Sequence, residues 1–434
     1  MNVKRAELLK ALKHCLPGIE SGTAVLEGAD LFVFKGGFVH SYNDLISVSV
    51  PVKADGLLEE EIDGAVRAEE FFSIISKFTG DLIAFEPDKD KWILKSGRAK
   101  VELTLMAGDF SDRLNNIAPD KKKWLPISTE FAQGMGICRM VNNKNAISGF
   151  YVTSKDIMSS DGYQVNRFTY QGPDIEPFWI SDASGAELLK VGALNSIQIK
   201  GTWAHFKAAD GTVFSVKTLQ AEKWPYEKLS TVLDSHKKVK GGLSAVFPKE
   251  LFEAINRAAS FFMDISDTKA VRLGISPKGI KVSAERAAGK FTETVDWKEA
   301  IPTFEPFELY VDTTMMLFAA RRSLAFYIHE GSSGAPRMVF TTQNSLHLMS
   351  TLSRDEVSAQ EKVDKSKKKK EEEKEVEIDT PPAKEKAKAK KKPEPEPEPK
   401  DDEEEDEEEE DDDSDDEEEV EGDEYDDLDD EEDE

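Results

Sequence analysis

Three amphipathic helix starts recur about 120 residues apart in this chain: RAELLKALKHCL from Arg5, TEFAQGMGICRMV from Thr129 and PKELFEAINRAASFF from Pro248. An interval of that size is a domain, well outside the roughly 20–50-residue repeat of a solenoid. In the first start Leu9, Leu12 and Leu16 follow helical spacing, and Pro17-Gly18 ends the pattern. In the third, Leu251, Ile255, Ala258 and Phe262 do the same, with Pro248 expected in the first turn. The middle helix carries its stripe on Phe131, Met135 and Cys138, although Gly134 and Gly136 each cost about 1 kcal/mol in helix propensity.

Each start is followed by short alternating stretches and then by a second helix. These second helices are expected on Phe71, Ile74, Ile75 and Phe78 after Arg67, near Ser184, and on Val311, Met315 and Phe318 of VDTTMMLFAARR. LFVFKGG, LISVSVPV, KWILKSG, KVELTLM, NSIQIKG, TVFSVKTL, AVRLGIS, GIKVSAE, LAFYIHE, RMVFTTQ and LHLMSTL are among the predicted strands. VELTLM and IKVSAE alternate with period two, as strands covered on one face do. The order of helix, three or four strands, helix, three or four strands predicts an α+β fold: three similar domains with helices collected on one face of antiparallel sheets. Periodicity alone fits three unrelated α+β domains as well. The expected boundaries are 1–122, 123–238 and 239–355, followed by a charged tail over 356–434.

The tail changes how the net charge of −29 is read. Residues 1–360 carry 43 basic and 45 acidic side chains, residues 361–400 carry 14 and 12, and residues 401–434 carry none and 29. The body is therefore close to neutral, and the overall acidity does not argue against a polyanionic partner. From Ser358 onward aliphatic and aromatic residues are too few to offset the roughly 1–2 kcal/mol per residue of backbone ordering, so disorder is expected. The tail reads as a mixed-charge stretch, an extended Pro-Glu spacer and an acidic block. It fits a solubilising appendage, an electrostatic shield or a docking arm, with a regulatory or docking role preferred.

Catalytic grammar is missing. GxxxxGK[ST], GxGxxG after a strand, HExxH and GxSxG are all absent, and none of the six histidines has a Cys or His partner at metal-ligand spacing. Asp156, Asp161 and Asp182 fall among loops without an acidic pair tied to helices. No catalytic residue, metal or cofactor is expected. Cys15 and Cys138 lie inside apolar helical patterns and read as buried thiols of a reducing compartment. No run of 18 apolar residues suggests a membrane span, and the first residues lack the apolar core of a signal peptide, so a cytoplasmic protein is expected. Basic residues sit near the helices: Lys10 and Lys13, Arg67 and Lys77, Arg139 and Lys144, Lys190, Arg257, and Arg321. Any one of them fits ordinary solvation of a helix. On a shared helix face they make a weakly basic surface that attracts phosphates without reading bases.

Several segments, taken in order, resemble the bacterial-type DNA sliding clamp, the polymerase III beta subunit and its phage relatives. VRAEEFFSIISKF at 66–78 and DKDKWILKSGRAKVELTLMAGDF at 88–110 look like the second helix and closing hairpin of that family. ISGFYVTSKDIMSSDGYQVNRF at 147–168 is similar to the strand, turn and Thr-Asp-Gly-His-Arg-Leu motif of its middle domain, and AEKWPYEKLSTVL at 221–233 to the segment leading into the third. The resemblance spans about residues 1–354 and leaves the tail unmatched.

What the resemblance implies is a non-catalytic homodimeric ring around duplex DNA, helices lining the hole, tethering a replicative DNA polymerase and opened by a clamp loader. The divergence and the tail suggest a phage origin, hence the host cytoplasm. The subunit interface is expected between the 101–106 edge and the third domain near 255–275. A partner-peptide pocket is implied on Ile147, Ser160, Gly162, Tyr163, Gln164, Val165, Leu233, Leu348 and Met349. Tyr163 and Gln164 stand where histidine and arginine are usual in the family, and Asp234 and Ser350 where prolines are. The alternative is an acidic-tailed chaperone or scaffold for basic DNA-associated proteins; an enzyme with an unrecognised site is a third class.

Overall fold

The computed structural model describes residues 2–20, 26–52, 63–108, 110–140, 147–235, 242–260, 270–286, 289–323, 325–330 and 336–353. All of them belong to one compact unit, Met1–Glu375. The charged tail, Lys144 and Phe262 lie outside the described residues.

One order of elements occurs three times. The first run is β1 (Asn2–Lys4), α1 (Arg5–Cys15), β2 (Leu31–Lys35), β3 (Phe38–Tyr42), β4 (Ile46–Pro51), β5 (Gly64–Arg67), α2 (Ala68–Lys77), β6 (Leu82–Asp88), β7 (Lys91–Ser96) and β8 (Ala99–Thr104). After the connecting helix α3 (Ser111–Ile117), the second is β9 (Leu125–Pro126), α4 (Thr129–Cys138), β10 (Phe150–Val152), β11 (Asp156–Ser160), β12 (Gln164–Thr169), β13 (Phe178–Ile180), α5 (Asp182–Leu189), β14 (Leu194–Lys200), β15 (Trp203–Ala208) and β16 (Val213–Lys217). A second connecting helix, α6 (Tyr226–Ser235), leads to β17 (Leu243–Val246), α7 (Lys249–Ala259), β18 (Ala270–Ser276), β19 (Gly279–Arg286), β20 (Gly289–Val295), β21 (Phe307–Asp312), α8 (Thr313–Ala320), β22 (Ala325–Glu330), β23 (Pro336–Thr341) and β24 (Ser345–Ser350).

The first helix of each run buries the same quartet: Leu8, Ala11, Leu12 and Cys15 in α1, Phe131, Gly134, Met135 and Cys138 in α4, and Leu251, Ala254, Ile255 and Ala258 in α7. The second place is small in all three. In α4 a side chain there would run into the rings of Phe168 and the tip of Ile157, so the helix accepts the propensity cost of Gly134 to approach the sheet. Cys15 Sγ donates to Val39 O at 3.6 Å, and Ser41 Oγ donates to Cys15 O at 2.6 Å. Cys138 repeats the arrangement with Ile157 O and Ser159. Burial pushes both thiols up, Cys138 to about 12, so both stay protonated.

All strand pairings between the named strands are antiparallel, in four sheets. Two have eight strands and cross from one run to the next: β5-β2-β3-β4-β16-β15-β14-β9 and β13-β10-β11-β12-β24-β23-β22-β17. Their seams are β4 on β16, with Ile46 opposite Val216, and β12 on β24, with Gln164 opposite Met349. The other two have four strands, β1-β6-β7-β8 and β20-β19-β18-β21. By the order of the repeat, β8 corresponds to β16 and β24, and β20 to β4 and β12. These are the two strands left at the edge where the rest of the fold has a seam.

Several expectations shift. The buried stripe of α1 is Leu8, Leu12 and Cys15, while Leu16 is exposed at the helix end. Pro248 is the N-cap of α7 rather than a first-turn residue. Val311 ends in β21, and α8 buries Met315, Met316 and Ala319 with Phe318 half-buried. The helices α1, α2, α4, α5, α7 and α8 share the core side of the sheets, but α3 and α6 pack on the opposite side, over Leu31 and Val33 and over Val165 and Leu348 respectively. Helices are therefore not confined to one face. Of the segment 255–275, the described strand β18 is not an open edge: it is flanked by β19 and β21, and the edge strands of that sheet are β20 and β21; residues 261–269 lie outside the described residues.

Candidate functional site

Outward-facing residues at the second seam are apolar. Val165 lies opposite Leu348, and Leu348 opposite Val339, so three adjacent strands present one hydrophobic row. Tyr151, Met158 and Trp179 extend it, and α6 lies over it with Leu233 fully buried and Leu229 and Val232 half-buried. An aromatic stack pins the start of α6: Tyr151 is 4.8 Å from Trp224 and 5.1 Å from Tyr226, ring centre to ring centre. Trp224 Nε1 donates to Ile147 O at 3.0 Å, and Tyr226 donates its hydroxyl to Asp156 Oδ2 at 2.9 Å. The other end is held by Arg167, whose guanidinium meets Asp234 Oδ1 at 2.7 Å. Asp234 thus forms an ion pair between helix and sheet.

The hairpin SDGYQ enters this region from the side. Asp161 Oδ1 accepts from the backbone N–H groups of Tyr163 and Gln164, which closes the turn, and Gly162 occupies φ +88°, where a β-carbon would be strained. Ser160 Oγ donates to Gln164 O at 2.8 Å. Tyr163 is left 54% exposed at the tip. Asn43 builds the same turn in the first run, accepting from Leu45 and Ile46, with Leu45 exposed in place of Tyr163.

Of the nine residues expected to form a peptide pocket, the structure brings Ile147, Val165, Leu233 and Leu348 into one apolar cluster, with Gly162 and Tyr163 exposed on the neighbouring turn. Three are corrected. Met349 points to the other side of the sheet, fully buried in the core beside Met338, because successive strand residues face opposite ways. Gln164 is fully buried too: its amide nitrogen donates to Asp161 Oδ2 at 2.8 Å, and its Oε1 accepts from His347 Nε2 at 2.9 Å. Burial holds the His347 imidazole neutral, down to about 3. Ser160 is buried in its turn hydrogen bonds. Sequence reading missed Tyr151, Trp224, Tyr226 and Arg167; the available signal was the aromatic pair flanking Pro225 in an otherwise polar connection.

The first seam has the same backbone but a different floor. Ser47, Ser215 and His205 take the register places of Val165, Leu348 and Val339. Of the two described seams, only the second has an apolar floor.

The expected phosphate-attracting residues divide by what they touch. Lys10, Lys13, Lys77, Arg139 and Arg321 are exposed and make no ion pair among the described residues. Lys13 and Lys190 line one hollow of about 380 Å³ between α1 and the end of α5, and Lys190 also meets Glu187 at 2.9 Å. Arg67 lies 3.6 Å from Asp30. Arg257 is turned toward the β20 edge, bound by Glu293 at 2.6 Å, so it is not a free cation of the helix face. Arg322, next to Arg321, donates to Gly136 O and Arg139 O, tying α8 to the end of α4 across the second seam.

Repeated strand–helix–three-strand elements joined across sheet seams, with helices α1, α2, α4, α5, α7 and α8 on the core side, define a clamp-type architecture. No family model matches the sequence, and no curated protein matches it. Among solved structures, the chain is similar to the DNA polymerase III beta chain of Streptococcus pneumoniae, with 15% identity and a TM-score of 0.66 over 81% of this chain and 99% of that one. The sliding clamp of Bacillus subtilis gives 16% and 0.66, over 81% and 98%. The Helicobacter pylori beta clamp, solved with a DNA ligase peptide, gives 14% and 0.66, over 81% and 99%. The fold of this chain is that of the bacterial DNA polymerase III beta sliding clamps.

Proposed function

We propose that the chain is a DNA sliding clamp: two copies close head to tail into a ring around duplex DNA and tether a replicative DNA polymerase, with no covalent chemistry of their own. The observation that carries this reading is the pair of interrupted edges. Both internal seams join the strands that correspond to β8 and β20, and a second copy supplies the missing partner for each. Val101 and Leu103 on β8 and Phe291 on β20 pack against the two cores yet remain half-exposed, as residues of an incomplete interface do. Closure by two copies leaves neither of these edges open. In this reading 1–122, 123–238 and 239–355 are three domains per copy.

The helix face then surrounds DNA by enclosure. It needs only modest phosphate attraction, because tight ion pairing would resist sliding. Few free lysines and arginines suit that role. The border of the apolar cluster under α6, where Tyr163 is exposed and Ile147 half-buried, receives the apolar end of a polymerase or loader peptide.

Retention on nicked circular DNA tests the reading. The wild type, loaded by its clamp loader, is expected to stay on the circle at salt that strips a linear-DNA control. Reversing Lys10, Lys13, Arg139 and Arg321 to Glu is expected to reduce loading at least tenfold while leaving the fold intact. Equal retention on linear and circular DNA would sink the ring.

Removing residues 357–434 takes the formal charge from −29 to −2, since residues 1–356 hold 43 basic and 45 acidic side chains. The truncated protein is expected to associate with DNA faster at low ionic strength, the difference shrinking as salt screens the acidic block. Stopped-flow association at two salt concentrations measures it. Equal rates at low salt would exclude shielding.

A further inference from the structure

Outside the α6 cluster and the helix face, one strongly charged strip stands out among the described residues. Cross-strand register sets Lys200, Trp203 and Lys217 in one row over β14, β15 and β16. The row faces away from the core, because Ile199, Ala204 and Val216, each next in sequence to a row member, pack into it. The connection after α3 runs beside the row: Lys200 Nζ donates to Ala118 O at 2.6 Å, and Asp120 lies 3.4 Å from both Lys200 and Lys123. Trp124 follows, with Lys207 Nζ 5.9 Å from its ring centre. Lys121, Lys122 and Lys217 are exposed and have no ion pair among the described residues. Asp120 is the one carboxylate that pairs with this strip among the described residues. On a body that is otherwise near neutral, this is a local concentration of positive charge interleaved with two half-buried indoles.

We propose that this strip binds a single strand of nucleic acid on the outer side of the first seam. Lysine ammonium groups neutralise successive phosphates, and indole planes between them offer stacking surfaces to unpaired bases. A duplex hides its base faces in its own stack, and an acidic peptide has no ring faces to match, so the tryptophans favour a single strand over both. The strip is on the sheet face opposite α1, α4 and α5, so occupancy does not compete with DNA held at the helix face. The inference goes beyond the clamp reading and does not depend on ring closure.

Fluorescence anisotropy with the full-length protein and a labelled oligothymidylate of about 20 nucleotides tests it. An abasic strand of equal length and poly-glutamate serve as competitors. The triple substitution Lys121→Gln, Lys122→Gln and Lys217→Gln is expected to weaken binding at least tenfold. It should also flatten the log–log salt dependence by about 2, at about 0.7 per lost phosphate contact. Lys10→Gln with Lys13→Gln should leave this binding unchanged. Trp124→Ala should weaken the oligothymidylate at least fivefold but not the abasic strand, and Trp124→Phe should restore it. No binding by the full-length protein, or equal loss with the Lys10 and Lys13 pair, overturns the proposal. Equal affinity for abasic strand and oligothymidylate, with poly-glutamate as the better competitor, also overturns it and makes the strip an acidic-peptide surface.

Discussion

A Leu103→Lys protein is expected to run as a monomer under conditions where the wild type forms a dimer of twice the 48.4 kDa chain mass. Leu103 lies on the core side of β8, opposite Trp92 in the ladder, and is only half-buried because β8 lacks a second neighbour. In the proposed dimer β20 of the other copy covers it. A lysine there can leave its ammonium in water while the edge is open, so the fold survives, but closure would bury an unpaired charge. An uncompensated buried charge costs about 3–5 kcal/mol, or roughly two to nearly four orders of magnitude in dissociation constant. Phe291→Lys on β20 should give the same result from the other side of the interface. Native mass spectrometry over a concentration series, with a melting curve for each variant, is the measurement. A wild type that stays monomeric at micromolar concentration, or a dimer indifferent to both substitutions, would reject this interface.

The second large effect separates two neighbours on β24. Met349→Ala removes a fully buried side chain from the core it shares with Met338 and Phe340. The expected loss is about 2–5 kcal/mol of stability, seen as an earlier thermal transition with no specific effect on a polymerase-derived peptide at temperatures where the protein is folded. Leu348→Ala acts on the outward row with Val165 and Val339; it is expected to cost stability in the same range and, unlike Met349→Ala, to weaken such a peptide at least tenfold in folded protein. Titration of one peptide against both variants, with melting followed alongside, distinguishes them. If Met349→Ala lowered affinity more than Leu348→Ala in folded protein, the assignment of faces would be wrong.

This pair also marks how far the sequence could be read. The order of LHLM at 346–349 put both residues on the last strand, and alternation required them to face opposite ways. Which one faced the groove depended on the seam register, Val165 opposite Leu348, and register is set by contacts between segments about 180 residues apart. The resemblance to the clamp family pointed to SDGYQ and the Leu233 connection, but its residue-by-residue transfer included Met349 and Gln164, which share the core face of the sheet, and Ser160, which is held in turn hydrogen bonds. Arg257 shows the same limit. Its place on α7 was legible, whereas Glu293, which holds it, comes from the strand β20, 36 residues further on.

The sequence by itself determined the three helix starts, the alternating strands, the absence of catalytic motifs and the confinement of the acidic charge to the last residues. These properties are local: helical spacing, period-two alternation and composition act within a few residues of one another. Even the weak helix at Gly134 was readable as a helix, though the reason for the glycine was not. Only the tertiary structure decided that α3 and α6 cover the outer faces, that neighbouring runs share sheets, and that β8 and β20 each keep one edge unpaired. It also decided that one seam has an apolar floor of Val165, Leu348 and Val339, where the other has Ser47, Ser215 and His205. A strand carries the same hydrogen-bonding groups wherever it lies in a sheet, so its own residues do not say which edge it will complete. That choice follows from the packing of distant side chains against a common core.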